Sequence, residues 1–200
     1  MTRILIPAGA LGLGYDKAAL DAGIAMGPDL IAIDGGSTDS GPSYLGRGVS
    51  KYARASTKTE WKGLIEARAR AGCPLVIGTA GTCGADSTVD WMYDITVEIL
   101  SELGLSAKIA VLKSGQPAER IKAALAKGGV TPLPAAPAID DSILDSCTNI
   151  VALAGAEQIA AALNTGADIV IAGRTTDTAI IAALPLLRGD HISLLEGIAG

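Results

Sequence analysis

The sequence predicts a three-layer α/β fold built on a mostly parallel, doubly wound sheet of about six strands. Three observations lead there. Short apolar runs alternate with helical stretches along the chain. The runs are continuously apolar rather than alternating, as strands are when helices cover both faces of a sheet. Polar, glycine-rich loops follow several of the runs. A (β/α)8 barrel would need eight such units and usually ~250 residues, whereas this chain has 200.

The first strand is residues 3–7, followed by a turn with Gly9, Gly12 and Gly14 and a helix near 16–26. Residues 29–34 form the second strand. A long loop, 35–49, leads to a helix over about 50–71. The third strand is 74–78, with a glycine-rich loop and a helix over about 88–103. The fourth is 107–112, with its helix at 117–127. Residues 128–137 are rich in Gly and Pro and read as an irregular connection, and 140–147 as a short helix. The fifth strand is 149–154, with a helix at 157–163. The sixth is 167–172, with a helix near 178–184. Parallel strands joined this way expect right-handed crossovers. The whole reads as a single α/β domain over residues 1–200.

Composition narrows the function. Apolar residues make up 49% of the chain, which excludes global disorder. Charged residues are 18%, against roughly 25% in an average soluble domain. A surface so poor in charge suggests a homo-oligomer or a companion segment. The net charge is −5, with no basic run and six aromatics, two Trp and four Tyr. Nucleic-acid binding needs cations and often stacking platforms, so it is not expected. No apolar stretch approaches the ~20 residues of a membrane span. The N-terminus passes directly into a strand, so no signal peptide is expected. Cys73, Cys83 and Cys147 are widely spaced, an odd set without CxxC, which fits free thiols in a reducing cytoplasm. His191 is the one histidine, which leaves no Cys/His zinc site or HExxH motif. It reads as a surface or turn residue.

Open parallel sheets bind ligands beyond the carboxyl ends of their strands, and there the polar residues gather. After the second strand, Asp34 is followed by Gly35, Gly36, Ser37, Thr38, Asp39, Ser40 and then Tyr44. Glycines let backbone approach a ligand. Hydroxyls donate to phosphate or carboxylate oxygens. Asp34 and Asp39 are placed to act as acid and base or to hold Mg²⁺. The bland alternative is an Ω-type loop whose Asp and Ser residues make turn hydrogen bonds. After the third strand come Gly78, Gly81, Thr82, Cys83 and Gly84, a loop able to cradle a phosphate at a helix N-terminus. There Asp86 or Ser87 could instead be a plain N-cap, and Cys83 reads as small-residue filler. Lys113 follows the fourth strand. Arg174, Thr175 and Asp177 follow the sixth. Arginine at a strand end suits two-point capture of a carboxylate or phosphate, and Asp177 is equally a natural N-cap. No GxSxG elbow occurs, so serine hydrolysis finds no support.

Three segments carry a family resemblance. Residues 29–46, reading Asp-Leu-Ile-Ala-Ile-Asp-Gly-Gly-Ser-Thr-Asp-Ser-Gly-Pro-Ser-Tyr-Leu-Gly, resemble a hallmark of the acyclic terpene utilisation AtuA-like family. Residues 167–179 resemble a second family segment, and residues 78–91 a weaker third. Asp34, Ser37, Thr38, Asp39, Tyr44, Arg174 and Asp177 match the pattern. The resemblance implies a place in the catabolism of acyclic terpenes, whose intermediates are coenzyme A thioesters. It assigns no reaction and no catalytic residue. Family members are usually longer than this chain, so the resemblance also allows it to be the N-terminal region of a longer architecture.

Three functions follow as expectations. The first is a catabolic enzyme acting on a small carboxylate or acyl-CoA substrate. Asp34, Asp39 and Asp177 would be its acid–base or metal-binding groups, and Mg²⁺ or a coenzyme A moiety its partner. Lyase, hydratase and hydrolase chemistry all stay open. The second is a non-catalytic subunit that needs a companion chain. The third is a nucleotide-binding or phosphoryl-transfer protein, since Asp34-Gly-Gly-Ser-Thr-Asp39 is similar to the DxGGT loop of actin-like ATPases. Against it, a βα unit precedes the loop and no strand follows it.

Overall fold

A computed structural model describes residues 1–36 and 42–190. Among the described residues five strands are formed: β1 (Ile4–Leu5), β2 (Leu30–Asp34), β3 (Leu75–Gly78), β4 (Ile109–Leu112) and β5 (Ile169–Ala172). They pair in parallel in the order β1-β2-β3-β5-β4. The helices are α1 (Lys17–Ala25), α2 (Ser43–Arg47), α3 (Arg54–Ala71), α4 (Asp86–Leu103), α5 (Ala118–Ala126), α6 (Asp141–Ser146), α7 (Ala156–Asn164) and α8 (Ala179–Arg188).

The strands alternate their side chains between two cores, as a period of two requires. Ile31, Ile33, Leu75, Ile77, Ile169 and Ile171 pack with Leu20 of α1, Trp61, Leu64 and Ile65 of α3, and Met92, Ile95 and Ile99 of α4. Leu30, Ala32, Val76, Val170 and Ala172 pack with Ile159 and Leu163 of α7 and Ile180, Ala183 and Leu184 of α8. Both faces are covered, so the predicted three-layer, doubly wound α/β class holds. Inside the first core, the Trp61 indole N–H donates to Thr96 Oγ1 at 2.8 Å, joining α3 to α4. A buried indole needs such a partner.

The predicted fifth strand, 149–154, does not join the sheet. It runs across the carboxyl ends of β4 and β5 with isolated bridges, Gly115 to Val151 and Ala154 to Thr175. Its Ala152 and Leu153 are exposed. The apolar run is too short and too open to be a core strand, and the segment edges the site instead. The long helix expected from residue 50 begins at Arg54, and the short α2 precedes it.

Candidate active site

β3 and β5 are neighbours, yet their connections part. β3 leads to α4 on the first face, while β5 leads to α8 on the second. Such a parting opens a crevice at the carboxyl ends, the usual ligand position in open α/β sheets. Here the two loops that border it are stitched together. The Thr79 N–H donates to Gly173 O at 2.8 Å. The Thr79 hydroxyl donates to Thr175 O and accepts from the Thr175 N–H, both at 3.3 Å. A Cβ at Gly84 would collide with the Arg174 backbone nitrogen, and one at Gly35 with Thr79 O. These glycines are fixed by backbone packed on backbone. Thr79 and Thr82 sit at φ 44° and 71°. Positive φ is a genuine outlier for a β-branched residue and costs ~1–3 kcal/mol. The loop between β3 and α4 therefore stores strain beside the crevice.

Asp34 ends β2 on the face that α8 covers, one residue on from Ile33 of the opposite core. Among the described residues nothing hydrogen-bonds its buried Oδ1. Burial is the main cause that lifts its pKa, and the charge of Asp177 adds to the rise. The backbone N–H groups of Gly36 and Gly35 and the Arg174 guanidinium act in the opposite direction. The outcome is a carboxyl at about 6. Both protonation states are then populated near neutrality, the condition for general acid–base work.

The structure thus brings Asp34, Gly35, Gly36, Arg174, Thr175 and Asp177 to one crevice. Thr82 borders it: a Cβ at Gly36 would lie 3.1 Å from Thr82 Cα, and Thr82 Oγ1 accepts the Lys51 N–H at 3.0 Å. Gly81 faces α4 instead, where a Cβ would meet Thr88 Cβ at 2.6 Å. Lys113 stands apart on the α4 side. Its ammonium pairs with Asp90 at 2.8 Å, and that hydrogen bond raises its pKa. Tyr44 lies in α2 with the Arg47 guanidinium 5.0 Å from its ring. Ser37, Thr38, Asp39, Ser40 and His191 lie outside the described residues. Among the described residues no group of three or more His, Cys, Asp or Glu is placed to hold a metal ion.

Two capping expectations are corrected. Asp86 does not cap α4, whose N-cap is Ala85 without a side-chain hydrogen bond. Its Oδ1 instead accepts the N–H groups of Ser114 and Gly115 at 3.1 and 2.9 Å, holding the loop after β4. Ser87 donates to Gly48 O at 2.7 Å. Asp177 does not cap α8 either, since Thr178 is the N-cap. That leaves the Asp177 carboxylate to act on Asp34. Sequence reasoning missed Thr79 and Asn149. Asn149 donates to Leu45 O at 2.8 Å and ties α2 to the 149–154 segment. Thr79 carried a usable signal, as a hydroxyl residue directly after a strand-ending glycine.

A profile described as "Acyclic terpene utilisation family protein AtuA" matches residues 51–187, more than half of the chain. The chain belongs to the AtuA family. The match includes the Thr79–Thr82 loop, Arg174 and Asp177, and with them two of the three AtuA-like segments. The segment at 29–46, with Asp34, lies upstream of the matched residues. No curated protein matches the chain. Among solved structures, DHDPS from Cyanidioschyzon merolae with lysine bound is 16% identical, with 97% of this chain and 76% of that one covered. The TM-score is 0.34, so that likeness carries no weight for fold or function. No helix of the described residues is long and apolar enough to cross a membrane.

Proposed function

We propose that this AtuA-family protein is an acid–base enzyme of acyclic terpene utilisation, acting on a carboxylate or acyl-CoA-type substrate. One observation carries the reading: Asp34, a half-buried carboxyl with a pKa raised to about 6, interacts electrostatically with the Arg174 guanidinium at the crevice where the sheet's connections part. Arg174 would hold the substrate carboxylate or polarise a thioester carbonyl. Asp34 would take a proton from the substrate as carboxylate and return one as carboxylic acid. The Asp177 charge helps to keep Asp34 in the working range. Lyase and hydratase chemistry share this proton transfer, whereas in a hydrolase Asp34 would take the proton from the attacking water. The family description supports the substrate class.

The test is a thermal-shift panel with coenzyme A, geranyl-CoA, short dicarboxylates and ATP, each with and without Mg²⁺. It is run on the native chain, Asp34→Asn and Arg174→Gln. A ligand at ~100 Kd adds ~2.7 kcal/mol, several degrees for a domain of this size. The native chain should shift with carboxylates or CoA thioesters, and Arg174→Gln should lose the shift. Asp34→Asn should keep the shift but lose solvent-deuterium exchange into the bound substrate by ~100-fold or more. A shift with ATP and Mg²⁺ alone, or a full shift in Arg174→Gln, would overturn the proposal.

A further inference from the structure

A second cavity lies on the other face of the sheet. It has a volume of about 280 Å³ and lies between the first turns of α4 and the segment that leads into α3. Ser87, Thr88 and Trp91 form one wall, a single helix face at i, i+1 and i+4. Val49, Tyr52 and Arg54 stand opposite. Most of the polar side chains of this cleft already have partners, and Ser50 Oγ accepts the Tyr52 N–H at 3.1 Å. Ser87 donates its hydroxyl to Gly48 O at 2.7 Å. Thr88 donates to the carbonyls of Ala80 and Ala85. Arg54 pairs with Glu98 at 2.6 Å. What the cleft offers an occupant is chiefly indole, phenol ring and aliphatic surface. Such a lining favours a hydrocarbon over a charged group. Its volume is near the lower end of small-molecule pockets, ~300–1,000 Å³.

The buried Thr82 stands between the cleft's walls and the crevice. One side of Thr82 packs on Gly36, two residues from Asp34, and its hydroxyl receives the N–H of Lys51, the residue between Ser50 and Tyr52 of the cleft lining. We infer that this cleft is the subsite for the branched, acyclic hydrocarbon chain of the substrate, and that Trp91 and Tyr52 are its specificity-determining residues. The inference rests on the functional reading above. It adds where the apolar part of the substrate binds and which side chains select it.

The experiment titrates the native chain with geranic acid, a branched ten-carbon monocarboxylate, and separately with acetate. Binding is followed by calorimetry and by tryptophan fluorescence. Trp61 is fully buried in the core, so a change confined to the second tryptophan reports the cleft. The branched acid should bind at least ~100-fold more tightly than acetate and alter the Trp91 emission. Trp91→Ala should weaken geranic acid ~10-fold or more and leave acetate unchanged. Because Trp91 also packs on the core, Val49→Asp is the second variant. Val49 is exposed at the cleft, and a carboxylate there should repel the chain without unfolding the protein. Equal affinity for both acids, or tight geranic acid binding in Val49→Asp, would overturn this inference and leave the acid–base reading standing. Failure of both acids to bind, with no shift from CoA thioesters either, would overturn the two together.

Discussion

Asp34 shows what a local pattern reveals of one residue and what it leaves out. Its place after an apolar run marked it as a site candidate. Its raised pKa depends on burial and on Asp177, which no local pattern reveals. The shift has a stability consequence. A carboxyl whose folded pKa lies above its unfolded value, ~3.9, binds its proton more tightly in the folded state. Stability therefore falls as pH rises from about 4 to about 6, and stays at the lower level above that. Asp34→Asn should remove this fall. Above pH 6 the variant should be more stable than the native chain by ~1–2 kcal/mol, a value discounted for partial solvation. Thermal melts from pH 4 to 8 check this. Parallel pH profiles for the two proteins would contradict it. A gain in stability with a loss of exchange chemistry is what a functional residue gives.

At the scale of elements, the loops after β3 and β5 hold the site by packing on each other. Gly84 is at φ 66°, and a side chain there meets Arg174 backbone. Gly84→Ala should destabilise by ~2–4 kcal/mol, combining left-handed strain with overpacking, and should weaken anion binding through Arg174. Chemical denaturation and the ligand panel read both effects. Thr79→Val keeps the shape and removes the hydroxyl that bridges to Thr175. It should cost about 1–3 kcal/mol through unsatisfied buried groups. The sequence showed these loops as glycine-rich, which was correct. It suggested ligand contact as a reason, and the structure adds a second one: Gly35, Gly78 and Gly84 each face a neighbouring loop. Composition does not distinguish a glycine that admits a phosphate from one that admits another backbone. The run at 149–154 misled for a similar reason: its apolar letters match those of a buried strand, but exposure depends on which elements lie beside it.

For the molecule as a whole, the layers were legible and the strand order was not. The central runs at β2, β3 and β5 are apolar on both faces and nearly all fully buried. Order is a matter of topology, and the order β2-β3-β5 brings Asp34 and Arg174 together from residues 140 apart in sequence. The same order places β1 and β4 at the edges, partly exposed. Native-state hydrogen exchange should be slowest in β2, β3 and β5 and markedly faster in β1 and β4. Uniform protection across all five strands would argue against this arrangement.

The central claim is that a carboxyl of raised pKa and a guanidinium form one anion-responsive centre. The most direct measurement is a carbon-13 NMR titration of the Asp34 carboxyl, alone and with geranic acid. The account predicts an apparent pKa of about 6 in the free protein. It predicts a further rise when the bound anion adds negative charge and occupies Arg174. An ordinary value near 4, unchanged by the ligand, would contradict it.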